Sequence, residues 1–528
     1  MAKEAPSFRS LYELRRHFCA FLSSSAFVER LNESIEVTIV SYETEKIMLK
    51  LKFDKIKDFT DKMENLFKSK FKAVIFDVFY VKSSEHSNNT EFCYEIEKKL
   101  DELNIPFYFM NRNGSILSRL LINGNISAKL NEIILITWIQ SEKLLFFKLK
   151  FTENGYIILE GGDENLDLSK AKEIRKTIIG DLNPQKIFFF PTTTSESGLL
   201  KQESSIRKIL KSKKLFICKI DESKKKFIVE SYKWILDKSS IKFHVCSLAV
   251  RKYEIGFKMG GKKNTPLIVC NVGMNLPFEK VKEIPNGSMK FYLAYTESGK
   301  THELHTFELE RNAHRFNLTL FVDENNMPHF KLKPFLFQSI LTLPPKLDKN
   351  LETKIPVISF FDNSSVICVY KENSKSYQFL ESWNGEFGRE LLIAFDKEEI
   401  SYCNDAIETY RTKPSFVICD LLKIMSMPIN EVLAIKTLDF SITKDSENPV
   451  IFEFDNFDGT KKFSTPAFLM ALLLKQHIKV IKNEMNEKPK MLCFCFPSES
   501  IVENRKRIEK YIEESCKLLK ISCEFLEI

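Results

Sequence analysis

Ile35-Glu36-Val37-Thr38-Ile39-Val40 and Ile47-Met48-Leu49-Lys50-Leu51-Lys52-Phe53 set the reading of the fold. Apolar and polar side chains alternate in these runs, and successive strand residues point to opposite faces, so the pair reads as a half-buried hairpin. Residues 54–67 then carry apolar side chains at helical spacing, residues 73–81 are β-rich, and residues 91–103 read as a capped helix. Strand, helix and strand again predict an α/β domain.

The same order recurs far downstream. Residues 449–454 and 461–463 read as strands, 467–481 as a helix, 491–496 as a strand and 503–519 as a helix. Residues 11–103 and 420–519 are therefore expected to be two divergent copies of one unit, with Tyr12-Glu13-Leu14-Arg15-Arg16 facing Cys419-Asp420-Leu421-Leu422-Lys423. Between them residues 243–335 are strand-dense. Gly260-Gly261, Pro285-Asn286-Gly287 and Asp323-Glu324-Asn325-Asn326 punctuate alternating runs there, which predicts an all-β domain.

A chain of 528 residues that is 44% hydrophobic and 28% charged exceeds what one core serves, so several domains are expected. Lys and Arg number 79 against 71 Asp and Glu, an excess too small and scattered to imply a nucleic-acid or membrane surface. Lys211 to Lys214 and Lys224 to Lys226 read as solvated faces. The first residues lack the apolar core of a signal peptide, and the longest apolar run, residues 467–474, is too short to span a bilayer. A soluble protein of the cytoplasm, with the nucleus as the other compartment open to it, is expected. The 12 cysteines occur without metal or redox spacing, as buried thiols of a reducing compartment would. Glycine is scarce at 16 residues, while phenylalanine reaches 46. Phosphate-binding loops need glycine where the backbone must approach a ligand or take positive φ, and biased base composition also lowers its count.

The all-β segment resembles the peptide-binding β-sandwich of the 70-kDa heat shock chaperone family. Ile255-Gly256-Phe257-Lys258-Met259-Gly260-Gly261 is similar to that family's Leu-Gly-Ile-Glu-Thr-x-Gly-Gly turn, and Leu318 through Met327 is similar to its closing strand pair. Residues 358–369 resemble the first phosphate turn of the nucleotide-binding domain, with Ser364 and Ser365 in the two threonine places. Leu392 to Phe395, Asn404-Asp405-Ala406, Phe463 to Pro466, and Pro497 with Arg505 resemble later landmarks of the same lobe. The amino-terminal copy resembles a lobe entered part-way, at Tyr12 to Arg16. Met110 to Gly114, residues 134–147, Gly161-Gly162-Asp163-Glu164 and residues 187–194 then resemble landmarks of the second lobe. The resemblance implies actin-like ATPase (ribonuclease H-like) lobes around a β-sandwich. Residues 1–240 would hold late lobe one and lobe two without its helical subdomain, residues 241–346 the sandwich, and residues 347–528 a second lobe one.

Family members hold ATP with Mg²⁺ through two glycine-rich turns, aspartates and a lysine. Here Phe361 and Asn363 stand in the aspartate and glycine places of the first turn, with Asp362 displaced by one position. Gln140-Ser141-Glu142-Lys143 replaces the second turn, Trp138 its aspartate, and Pro191 and Thr192 the adenosine glycines. The lysine falls at Arg15 in one copy and Leu422 in the other, and arginine does not relay protons as lysine does. The vestigial nucleotide set is therefore Asp362, Ser364, Ser365, Gly161, Gly162, Arg15 and Pro497, no catalytic residue is assigned, and no cofactor is expected unless ATP with Mg²⁺ is retained. Asp362, Ser364 and Ser365 would meet a metal-bound phosphate only across a bulged strand.

The resemblance places a peptide groove at Phe257, Met259, Ile284, Met289 and Phe291, against the alternative that these are core residues of the sheets. His302, His305, His314 and His329 read as surface histidines, and Cys493 and Cys495 as core thiols. The expected function is a chaperone-like binder of unfolded or hydrophobic polypeptide, or a scaffold, with impaired nucleotide binding and co-chaperones as further partners. No nucleic acid or membrane is expected among its partners. The alternatives are an active ATP-dependent chaperone and a duplication product without activity.

Overall fold

The computed structural model describes residues 24–31, 34–67, 71–82, 85–193, 195–218, 224–259, 263–435, 439–497 and 505–527, excepting the side chains of Met259 and Lys263. The chain divides into two compact units. One comprises Met1–Lys252, Cys270–Glu279 and Phe321–His329; the other comprises Tyr253–Val269, Lys280–Leu320 and Phe330–Ile528.

The alternating runs form a sheet in the first unit. Strands β1 (Ser24–Leu31), β2 (Ser34–Ser41), β3 (Ile47–Phe53), β4 (Phe71–Asp77) and β5 (Phe107–Phe109) lie in the order β3-β2-β1-β4-β5. β1, β2 and β3 are antiparallel neighbours, whereas β4 and β5 join parallel to β1. Parallel strands require crossovers. Helix α1 (Ile56–Phe67) leads into β4 and buries Phe59, Met63, Leu66 and Phe67 at helical spacing. Helix α2 (Asn89–Glu102) leads into β5, and its first turn is capped by Asn88, whose side chain accepts from the Glu91 amide at 2.9 Å.

After helix α3 (Arg112–Asn123) the order repeats. Strands β6 (Ile133–Gln140), β7 (Lys143–Thr152), β8 (Gly155–Asn165), β9 (Lys186–Phe190) and β10 (Leu215–Ile217) form a sheet ordered β10-β9-β6-β7-β8, with two antiparallel and two parallel pairings as before. Helices α4 (Ala171–Ile179) and α5 (Glu196–Leu210) make the crossovers, and α6 (Lys224–Leu236) follows.

The β-rich region contains β11 (Lys252–Met259), β12 (Lys263–Cys270), β13 (Phe278–Pro285), β14 (Lys290–Glu297), β15 (Lys300–Glu308), β16 (Arg315–Val322) and β17 (Pro328–Phe335). They form two sheets, β12-β11-β14-β15 and β13-β16-β17. The tip between β16 and β17 belongs to the first unit. There the Asn325 side chain accepts from the Phe109 amide at 2.9 Å, the Asn326 side chain accepts from the Val250 amide at 2.8 Å, and Met327 is buried in the core with Phe76 and Phe109.

The carboxyl-terminal sheet of the second unit repeats the order again. Strands β18 (Val357–Phe361), β19 (Ser364–Lys371), β20 (Ser376–Phe379), β21 (Met491–Cys495) and β22 (Ser522–Leu526) run β20-β19-β18-β21-β22, and again the first three are antiparallel and the last two parallel. Helices α7 (Pro466–Met485) and α8 (Arg505–Leu518) precede β21 and β22.

These topologies correct the expected repeat. Tyr12 to Arg16 lie outside the described residues, and residues 24–109 hold a five-stranded sheet. Its counterparts in strand order are residues 133–217 and 357–526, not residues 420–519. Ile451–Asp455 and Lys461–Ser464, expected to match β2 and β3, pair instead in a separate three-stranded sheet with Ser441–Thr443.

Candidate functional site

The first phosphate-turn place is a two-residue hairpin loop. Phe361 pairs with Ser364, which leaves Asp362 and Asn363 between β18 and β19. Asp362 has φ 45°, the left-handed region that disfavours a side chain, so it sits at the head of the turn and not on a strand face. Its carboxylate is already taken. Arg315, from β16, donates from Nε to Oδ2 at 2.8 Å and from Nη2 to Oδ1 at 2.5 Å, and its Nη1 donates to Glu283 at 2.5 Å. A planar fork on a carboxylate is a strong, geometrically exacting contact.

The serines of the turn point elsewhere. Ser365 is fully buried; its Oγ lies 2.8 Å from His477 Nε2 and accepts from Trp383 Nε1 at 3.1 Å. His477 donates from Nδ1 to the Leu473 carbonyl at 2.8 Å, so Nε2 accepts from the serine, and burial holds the imidazole down at about 4. A serine beside a histidine suggests a nucleophile, but with both side chains fully buried this network is structural. Ser364 lines a cavity of about 30 Å³ together with Ser288, Arg311, Gly388 and Glu390, room for water and not for a nucleotide. Glu390 accepts from the Ser288 amide at 3.0 Å, while burial pushes its carboxyl above the usual range.

Gly161 and Gly162 are not in a turn. They lie within β8, opposite Phe147 and Phe146 of β7. A Cβ on Gly161 would stand 2.5 Å from the Phe147 ring, so the glycine accommodates a cross-strand aromatic. In the second phosphate-turn place, Ser141 and Glu142 link Gln140 to Lys143 with φ of 50° and 63°, a tight hairpin turn built without glycine. Trp138 stacks on Phe147 at 5.7 Å. Thr192 Oγ1 donates to the Ile139 carbonyl at 2.5 Å. Pro497 is buried after β21, Leu422 is a buried core residue, and Arg15 lies outside the described residues.

The five groove positions fall on three strands and a loop. Phe257 and Phe291 meet across β11 and β14 with ring centroids 6.4 Å apart. Ile284 is buried on β13 of the other sheet, and Met289 packs against the carboxyl-terminal α/β core. Met259 ends the strand of Phe257, and its side chain lies outside what the structure describes. Two residues absent from the expected set extend the aromatic row: Phe307 of β15 stacks on Phe291 at 5.4 Å and on Phe330 of β17 at 4.3 Å, bridging the two sheets. The alternation Leu304-His305-Thr306-Phe307 carried that signal.

Two charge readings also change. His314 is buried, not at the surface: its Nε2 lies 2.8 Å from the Glu386 carbonyl and its Nδ1 accepts from the Phe337 amide at 2.7 Å. Lys224 is not a solvated lysine, since it pairs with both Glu29 and Glu36. Cys493 and Cys495 are buried in the core.

Among the described residues no set of three or more His, Cys, Asp or Glu is arranged to hold a metal ion, and no helix is long and apolar enough to cross a membrane. Set against known proteins, the chain matches no family model and no curated sequence.

Proposed function

We propose that this chain is a heat shock chaperone-like scaffold that binds extended apolar polypeptide without a nucleotide cycle. The observation that carries the reading is the state of the phosphate turn, with Asp362 held by Arg315 and Ser365 turned into the core against His477. ATP with Mg²⁺ would need the carboxylate that the guanidinium holds and the hydroxyl that the core encloses. The thrice-used strand order, with three antiparallel strands followed by two parallel ones, agrees with ribonuclease H-like lobes of an actin-like ATPase fold. The two sheets bridged by Phe307 and Phe330 agree with a β-sandwich.

The apolar ligand would lie along Phe257, Phe307 and Phe330, which are half-buried and offer ring faces, while sheet edges supply backbone hydrogen bonds. The cytoplasm or nucleus is the proposed compartment, and co-chaperones are proposed as further partners. Titration of the full chain with a labelled hydrophobic heptapeptide, with and without ATP and Mg²⁺, tests the reading. Binding that is weak, rapid, indifferent to ATP and lost in a folded Phe257→Asp variant is expected. Micromolar ATP affinity with Mg²⁺-dependent turnover would establish the active chaperone instead. Absence of peptide binding at high micromolar concentration would leave the duplication product.

A further inference from the structure

We infer that Arg315 is the permanent occupant of the Asp362 turn, and that this clasp joins the two-sheet β region to the carboxyl-terminal α/β sheet as one cooperative body. Three donors of the guanidinium are used, two on Asp362 and one on Glu283, and its carbon lies 5.0 Å from the Phe337 ring centroid. The Arg315 and Asp362 side chains are only 10% and 15% exposed, so separating them strands charge in a poorly solvated place. Asp362 also keeps a left-handed backbone to aim its carboxylate at the arginine, a conformation glycine would adopt more readily.

A second group of contacts closes the same seam. Ser288, in the loop between β13 and β14, donates its amide to Glu390, accepts on its carbonyl from Arg411 at 2.6 Å, and accepts on its hydroxyl from Arg311 at 3.0 Å. Arg311 reaches Asn404 at 2.5 Å, and Arg411 reaches Glu308 at 2.8 Å. His314 fills its ring nitrogens between Phe337 and Glu386, and its ring meets Phe361 edge-on at 5.2 Å. Arg311 and His314 of the β region reach Asn404 and the Glu386 carbonyl, and Arg411 reaches back to the Ser288 carbonyl and Glu308. Hydrogen bonds in such a network support one another when every member is satisfied, and losing one member costs more than a surface contact would.

Hydrogen exchange on the full chain tests the clasp, and the result does not depend on whether apolar peptides bind. In the wild type, protection of β16 and of the Asp362 turn is expected to stay within about twofold when millimolar ATP and Mg²⁺ are added. Arg315→Ala is expected to raise exchange about tenfold or more in β13, β16 and the turn, while β6 to β9 are unchanged. The double variant Arg315→Ala with Asp362→Ala should be no worse than the single, because it removes the stranded charge as well. Nucleotide-driven opening of β16 in the wild type overturns permanence, and that measurement stands even where a variant fails to fold. Exchange unaltered in Arg315→Ala, or strictly additive losses in the double variant, overturns the clasp.

Discussion

The hairpin between β6 and β7 and the hairpin between β18 and β19 occupy the same place in the same strand order, yet they accommodate left-handed residues other than glycine in opposite ways. Ser141 and Glu142 are exposed and both left-handed, and the Glu142 carbonyl accepts from the Leu166 amide at 2.9 Å. Asp362 is left-handed too, but its carboxylate is enclosed and clamped by Arg315. Both turns are tied to a neighbouring strand or loop through a backbone hydrogen bond, and only the second adds a buried charge pair. Strain of similar size therefore has different consequences, because at Asp362 the strained residue also neutralises a cation.

Glycine substitution at the two turns separates these cases most sharply. Asp362→Gly relieves the backbone but leaves Arg315 with only Glu283, and we expect a loss of about 3 kcal/mol in urea unfolding of the second unit. A loss under about 1 kcal/mol would mean that solvent replaces the pair. Gly161→Ala comes next: its Cβ would stand 2.5 Å from Phe147, whereas at Gly162 the nearest ring atom is 3.2 Å away. Overpacking predicts about 2 kcal/mol at Gly161 and less than half of that at Gly162. Equal costs at the two glycines would show that the Phe147 ring swings aside freely.

A pH effect of intermediate size belongs to the first unit. Burial, then the nearby Asp323 carboxylate, push Glu97 up to about 7, above its ordinary value near 4.5. Stability from the neutral acid is complete below pH 4.5 and is lost as pH rises through 7. Glu97→Gln removes that titration, so the variant is expected to match the wild type at pH 4.5 and exceed it at pH 8 by on the order of 1 kcal/mol, after allowance for partial solvation. Parallel stability profiles for the two proteins across this range would refute it. Smallest of all, Glu142→Gly should stabilise the β6–β7 hairpin by about 0.5 kcal/mol, the reverse in sign of the same change at Asp362. A destabilisation there would mean that the Glu142 side chain makes a contact worth more than the strain.

How far the sequence could be read varies with the kind of signal. The hairpin of residues 35–53 and the helix after Asn88 were legible because alternation and capping are local. The repeat was visible but misframed. Residues 449–463 have the same strand-like run as residues 35–53, yet pair only with one another and with Ser441–Thr443, a choice that periodicity does not encode. Gly161-Gly162-Asp163-Glu164 resembles a turn of the chaperone family, whereas the deciding neighbours, Phe146 and Phe147, lie on the adjacent strand. Met289 and Ile284 read as groove residues only through the family resemblance; Ile284 is on β13 and Met289 in the loop before β14.

By itself the sequence determined that the chain is mixed α/β with a β-rich middle, that glycine is scarce, and that its cysteines carry no metal spacing. These are statements about residue type and local order, and local sterics and periodicity suffice to make them. Only the tertiary structure decided that one strand order is used three times, that Arg315 of β16 finds Asp362 across a separation of 47 residues, and that Ser365 turns to His477 across 112. Those outcomes depend on which buried charges and hydroxyls find partners when the sheets pack. Such pairing is a property of three-dimensional proximity, and it leaves no spacing rule in the chain.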